Sequence, residues 1–135
     1  MDKIILDTSV IIKWFVKEEN SDKADGWLVK IKNSSVLLVS PAVLFLELSN
    51  ALILGNKYEK QDAKRAVAAV YKLSPEIIYP DQNLIEDIIE LMAKDKIAAY
   101  DALFIVLSQK FNIPLLTADL KHHKKEYSPN IQYLL

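Results

Sequence analysis

A chain of 135 residues with no cysteine excludes a disulfide framework and any thiolate metal site. Its net charge of −1 excludes the whole molecule as an electrostatic magnet for nucleic acid, so any such binding must come from a local patch. Half of the residues are hydrophobic (51%), ample for a core, and the first apolar run is broken by Asp7 and Lys13 before it reaches the length of a membrane span or leader. One cytoplasmic domain covering residues 1–135 is therefore expected.

The chain opens on Lys3-Ile4-Ile5-Leu6, then Asp7-Thr8-Ser9, then an apolar segment from Val10 to about Lys17. That order predicts a buried strand, a tight crossing at its C-terminal end and a helix. After a polar break, Ser21 is placed to cap a second helix with Ala24, Trp27, Leu28 and Ile31 on one face. Residues 36–39 form a short apolar strand. Ser40-Pro41 then reads as the cap and first-turn proline of a helix over residues 42–54, with Gly55 as its stop. A fourth helix spans residues 59–73 and turns Ala63, Ala66, Val67, Val70 and Leu73 inward. Pro75 breaks it, residues 77–79 are a strand, and Pro80-Asp81 opens a helix through Leu84, Ile85, Ile88, Ile89 and Met92. Residues 100–110 form a helix that is apolar through its middle and hence central. Leu115-Leu116 is a strand, Asp119 starts a short basic helix, and residues 131–134 are a last strand. Short apolar strands alternating with helices predict a three-layer α/β/α fold around a mainly parallel sheet of about five strands.

Four carboxylates interrupt otherwise apolar surroundings. Asp7 follows the first strand, Glu47 interrupts Val43-Leu44-Phe45-Leu46, Asp101 enters the apolar helix, and Asp119 follows Leu115-Leu116. In a parallel sheet, C-terminal strand ends and N-terminal helix ends share one edge, so Asp7, Asp101 and Asp119 gather there. Glu47 lies about two turns into its helix and leans back toward that edge. Singly, each acid also reads as a helix cap, a dipole complement or a surface residue. Together they would repel unless a cation sat among them, and hard oxygen ligands point to Mg²⁺ or Mn²⁺. Zinc is not expected, because adjacent His122 and His123 diverge on a helix and no further nitrogen or sulfur ligand is visible.

The segments Leu6-Asp7-Thr8-Ser9, Glu47-Leu48-Ser49-Asn50-Ala51-Leu52, Tyr100-Asp101-Ala102-Leu103 and Thr117-Ala118-Asp119 stand in order across the whole chain. This set resembles the PIN-domain ribonucleases, and within them the VapC-type toxins of toxin–antitoxin pairs. The resemblance implies that Asp7, Glu47, Asp101 and Asp119 are the catalytic, metal-binding acids, with Ser9 and Thr117 orienting them or a metal-bound water. It implies hydrolysis of RNA phosphodiesters to 5′-phosphate and 3′-hydroxyl ends, a small antitoxin partner and a homodimer. The Ala63 to Val70 face is the candidate for close helix contact in that dimer.

An acidic pocket repels RNA, so basic groups nearby are needed to hold the strand. Lys13 and Lys17, at i and i+4 on the first helix, and Lys121, Lys124 and Lys125 after Asp119 are the candidates. Val10 to Val16 carries an apolar arc of roughly 240° at 100° per residue, wider than one core face. With Trp14, Phe15, Trp27 and Ile31 it forms a candidate partner groove. An aspartyl phosphatase would place a second acid two residues after Asp7, where Ser9 stands, and the paired early acids of a receiver domain are absent. The remaining alternative is a non-toxin PIN domain, acting in RNA processing or as a non-catalytic RNA- or ribosome-binding module.

Overall fold

The first strand, β1 (Asp2–Leu6), lies at the middle of a five-stranded sheet, because it is apolar on both faces and both faces are covered. A computed structural model describes all residues from Met1 to Leu135. With β2 (Val36–Pro41), β3 (Glu76–Ile78), β4 (Leu115–Thr117) and β5 (Ile131–Tyr133), the strand order is β3-β2-β1-β4-β5 and every pairing is parallel. Register sets Ile4 against Leu38 and Leu6 against Leu116. The chain builds outward from β1 through β2 to β3, then returns to the other side of β1 with β4. The strand order therefore reverses between β1 and β4, where open α/β sheets form a crevice.

Helices α1 (Thr8–Ile11), α2 (Ser21–Lys32), α3 (Leu44–Asn50), α4 (Lys60–Lys72), α5 (Gln82–Asp95) and α6 (Ala99–Phe111) complete the α/β/α layers. Helix α6 is central, with every residue from Ala102 to Ser108 buried. It packs in the apolar core that runs from Ile4 to Leu134. No helix is long and apolar enough to cross a membrane.

Several boundaries differ from the sequence reading, each for a local reason. The first helix stops far short of Lys17: after Ile11 comes a 3₁₀ turn, Ile12–Trp14. Tyr58 Oη donates to the Phe15 carbonyl and Ser21 Oγ to that of Val16, so side chains take up the groups a longer helix would use. Lys13 and Lys17 thus share no helical face. Ser40 and Pro41 do not open a helix but end β2, where Pro41 aligns with Ile78; α3 begins only at Leu44. The helical run does end at Gly55 as expected, but its last stretch, Ala51–Gly55, is a π-helical segment that continues α3. At α5 the cap is Asp81, whose carboxylate accepts from Leu84 N at 2.9 Å, while Ile85 and Ile89 face outward. No helix follows Asp119; residues 119–123 form turns, and only Lys125–Tyr127 makes a 3₁₀ turn.

Candidate functional site

Asp7 is the N-cap of α1, and it is also far more tightly held than a cap requires. Its Oδ2 accepts from Ser9 N at 3.2 Å, Ser9 Oγ at 2.5 Å and Thr117 Oγ1 at 3.2 Å. Ser9 comes from the start of α1 and Thr117 from the end of β4, so the two sides of the crevice meet on this one oxygen. Ser9 Oγ also accepts from Ala118 N, and Thr117 Oγ1 accepts from Asp119 N, both at 3.0 Å. Both predicted supporting hydroxyls therefore touch Asp7 directly.

Glu47 sits in the first turn of α3 rather than two turns in, because the helix starts later than expected. Its Oε1 accepts from Thr8 Oγ1 at 3.0 Å. Asp101 lies in the first turn of α6. Asp119 combines its place beside β4 with a capping duty: Oδ1 accepts from Lys121 N at 3.2 Å and His122 N at 3.0 Å, while Oδ2 lies 2.8 Å from His122 Nδ1.

The residue that sequence reasoning missed is His123. Its ring is fully buried, with Nε2 3.1 Å from Asp7 Oδ1 and 3.6 Å from Asp101 Oδ1. The two histidines do diverge, as expected, but through turns rather than on a helix, and one of them turns into the acids. The available signal was a histidine four residues after Asp119, within one turn of a strand-end acid.

These neighbours split the acids electrostatically. Burial pushes the Asp7 carboxyl up, but the hydrogen bond and charge of His123 and the Ser9 donors outweigh it and hold Asp7 below its ordinary value. Burial pushes Glu47 up to about 7; the Thr8 hydrogen bond opposes this, and the charges of Asp7 and Asp101 add to it. Asp101 is also raised, first by burial against the pull of His123 and His122, then by Asp7 and Asp119. For His123, burial favours the neutral ring, but the bond to Asp7 and the charges of Asp7, Asp101 and Asp119 raise its value. Asp7 and Asp101 thus bear on Glu47, and Asp7 and Asp119 on Asp101, so Asp101 is the acid that links the set.

Carboxylates with unneutralised mutual repulsion are the donor chemistry of a hard divalent cation. As arranged here, however, no three His, Asp or Glu side chains close around one point as a ready cage. Histidine contacts take up part of the donor set instead, His123 on Asp7 and His122 on Asp119.

The outer candidates are less concentrated. Lys13 is mostly buried and paired with Glu18 at 3.3 Å, Lys125 lies over the Tyr133 ring at 4.8 Å, and Lys17, Lys121 and Lys124 are exposed. Ile31 is buried and leaves the proposed groove. Trp14 donates to the Ala24 carbonyl at 2.8 Å and packs edge-on to Phe15. Trp27 instead lines a cavity of about 890 Å³ near Met1, Val36 and Ile113, which neither Trp14 nor Phe15 borders. Trp14, Phe15 and Trp27 are all half-buried. Ala63, Ala66 and Val70 are buried within the chain and offer no exposed helix face.

An open parallel α/β sheet with an acidic crevice at the reversal of its strand order defines a class that binds ligands at the C-terminal strand ends. The chain belongs to the PIN domain family, whose model matches residues 4–126. Its fold closely resembles VapC-type toxin structures. It is similar to a toxin–antitoxin complex from Klebsiella pneumoniae (16% identity, covering 98% of each chain, TM-score 0.72). It is also similar to PAE2754 from Pyrobaculum aerophilum (14% identity, 98% of this chain and 84% of that one, TM-score 0.74). A third similar structure is VapC20 of Mycobacterium tuberculosis, a sarcin-ricin-loop-cleaving toxin (16% identity, 88% of this chain and 92% of that one, TM-score 0.69). No curated protein sequence matches the chain.

Proposed function

We propose that this protein is a divalent-metal-dependent endoribonuclease and the toxin of a type II toxin–antitoxin pair. The observation that supports this reading is geometric: Asp7 at the end of β1 and Asp101 in the first turn of α6 lie 3.1 Å and 3.6 Å from the same His123 nitrogen, Asp119 caps the turn that carries His123, and Thr8 beside Asp7 holds Glu47. These four acids would hold Mg²⁺ or Mn²⁺. When bound, such an ion polarises a phosphoryl oxygen and lowers the pKa of a water. Ser9 and Thr117 fix the Asp7 carboxylate through Oδ2, so that its position does not drift as substrate arrives. A carboxylate of the set orients the attacking water and accepts its proton. The P–O3′ bond then breaks and the departing 3′-oxygen takes a proton from solvent, leaving a 5′-phosphate and a 3′-hydroxyl. Lys17, Lys121 and Lys124 supply exposed positive charge for the RNA backbone.

A small antitoxin would bury apolar surface. Leu46, Leu54 and Tyr71 are strongly exposed, and Ile53 and Tyr71 border a cleft with Ala63 and Val67 between α3 and α4. Exposed Ile85 and Ile89 on α5 suit a homodimer contact. A cytoplasmic location accords with an RNA substrate.

The test is RNA incubated with the purified protein in Mg²⁺, in Mn²⁺ and in EDTA. Cutting with either metal, 5′-phosphate ends and no cutting in EDTA are expected; cutting that persists in EDTA would remove the metal mechanism. The second reading, a non-catalytic RNA- or ribosome-binding module, is favoured by one observation: Asp119 is engaged as a turn cap and the acids do not form a ready cage. RNA binding without cleavage in either metal would select it.

A further inference from the structure

We propose that His123 is a positioning residue for Asp7: its Nε2–H fixes the one Asp7 oxygen that the hydroxyls leave free and holds that carboxylate beside Asp101. The inference rests on the metal-dependent ribonuclease reading above. Ser9 and Thr117 saturate Oδ2, whereas Oδ1 accepts from His123 Nε2 alone, at 3.1 Å. Hydroxyls on one oxygen leave the carboxylate free to swing about it. A second donor on the other oxygen sets its plane.

The tautomer follows from the surroundings of the ring. Nε2 faces carboxylate oxygens of Asp7 and Asp101, which as ionised groups only accept, while Nδ1 is buried with no partner. In the neutral ring a proton on Nε2 serves the acids and leaves Nδ1 as a bare lone pair, and in the imidazolium the Nε2–H still faces the acids. A bare Nε2 would set a lone pair against two acids and bury an unpaired Nδ1–H. The same geometry argues that His123 is not itself a metal ligand. An imidazole that coordinates through Nε2 carries its proton on Nδ1 and donates it to a neighbour, and no neighbour is there.

The ring is delivered by rigid local structure. His123 N donates to the Asp119 carbonyl at 3.1 Å, within the turn that the Asp119 carboxylate caps at Lys121 and His122. Phe104 of the central helix α6 packs edge-on to the imidazole, ring centroids 6.1 Å apart. Asp119 thus acts on Asp7 through the turn and His123, an arrangement linking β4 to β1 independently of the hydroxyls.

Two variants separate positioning from filling. His123→Gln keeps an N–H donor near the Nε2 position, and His123→Met keeps bulk without a donor. In the folded protein without RNA, Mn²⁺ affinity read by electron paramagnetic resonance should fall about 10- to 100-fold in His123→Met. It should largely recover in His123→Gln, with kcat for RNA cleavage following the same order and KM little changed. Equal Mn²⁺ affinity and kcat in all three proteins, whatever their melting temperatures, would overturn the proposal. So would equal loss in both variants. Nitrogen-15 spectra of the wild-type imidazole in EDTA provide a readout that needs neither variant to fold, with a proton on Nε2 expected and its absence overturning the proposal. A wild type that neither binds Mn²⁺ nor cuts RNA would sink the ribonuclease reading and this inference together. A competent wild type with indifferent variants would sink this inference alone.

Discussion

Thr8 Oγ1 donates to Glu47 Oε1 at 3.0 Å and so ties the first residue after the β1 acid to the first turn of α3. This bond brings a carboxylate from a separate helix to the sheet edge and keeps it there although burial works against its charge. Thr8 donates whether the oxygen belongs to a carboxylate or an amide, so the contact survives removal of the charge.

Glu47→Gln should therefore stabilise the metal-free protein at high pH. The Glu47 carboxyl is raised to about 7 in the folded chain, so between the ordinary carboxylate value and 7 the folded state holds more protons than the unfolded one. Stability falls as pH rises through that window, and the whole penalty is present above 7. After discounting for solvent screening, the gain at pH 8 in EDTA should be about 1–2 kcal/mol, vanishing near pH 4.5. Urea unfolding across that range measures it. Added Mg²⁺ should flatten the slope in the parent and leave the variant nearly unchanged; a parent with no pH slope would contradict the assignment.

The hydroxyl clamp gives the opposite pH signature. Asp7 is held below its ordinary value, so its contribution is full at neutral pH and is lost as pH falls through the folded value. Ser9→Ala and Thr117→Val each remove one donor from a buried carboxylate and should each cost about 1–3 kcal/mol at pH 7. Both should move acid unfolding to higher pH. Circular dichroism in urea and along an acid titration provides the comparison with Lys94→Ala, an exposed control.

Most of the frame was legible because it is dictated by pattern. Apolar strands beside Asp7 and Thr117, and a helix apolar throughout residues 102–107, leave little freedom for any architecture but a covered parallel sheet. That topology alone brings strand-end acids to one edge. What escaped was side-chain competition: the Tyr58 hydroxyl that helps end the first helix comes from 43 residues downstream. His123 was hidden for the same reason, since its partner is 116 residues away and its own neighbours, His122 and Lys124, are exposed. Hydrophobic width at Val10 to Val16 measures burial as readily as partner contact: Val10, Ile11 and Ile12 are all core, while Trp14 and Phe15 are half-buried.

Asp101→Asn sets stability against activity. Burial raises the Asp101 carboxyl, with Asp7 and Asp119 adding like charge, so the ionised side chain is a liability to the metal-free fold above its folded value. Removing that charge while keeping the shape should raise the melting temperature in EDTA at pH 8. It should also lower RNA cleavage in Mg²⁺ by on the order of 100-fold or more. A variant less stable in EDTA and still active would return Asp101 to a helix-dipole role.

The lysines predict how RNA binding responds to salt. Lys17, Lys121 and Lys124 are exposed, whereas the Lys13 side chain is mostly buried and its ammonium is paired with Glu18 at 3.3 Å. Each phosphate contact releases condensed counterions, so losing one should reduce the slope of log K against log salt by about 0.7 on single-stranded RNA. Lys121→Ala and Lys124→Ala should each show that reduction and raise KM, leaving kcat unchanged because the one contact with the acids, Lys121 N to Asp119 Oδ1, is through backbone that alanine keeps. Lys13→Ala should leave the slope alone and only modestly destabilise the fold, since its partner Glu18 remains solvated. Fluorescence anisotropy with labelled RNA in EDTA, titrated at several salt concentrations, isolates binding from cleavage. A slope that changes for Lys13→Ala but not for the other two would move the RNA path from the β4 side of the crevice to the 3₁₀ turn after α1.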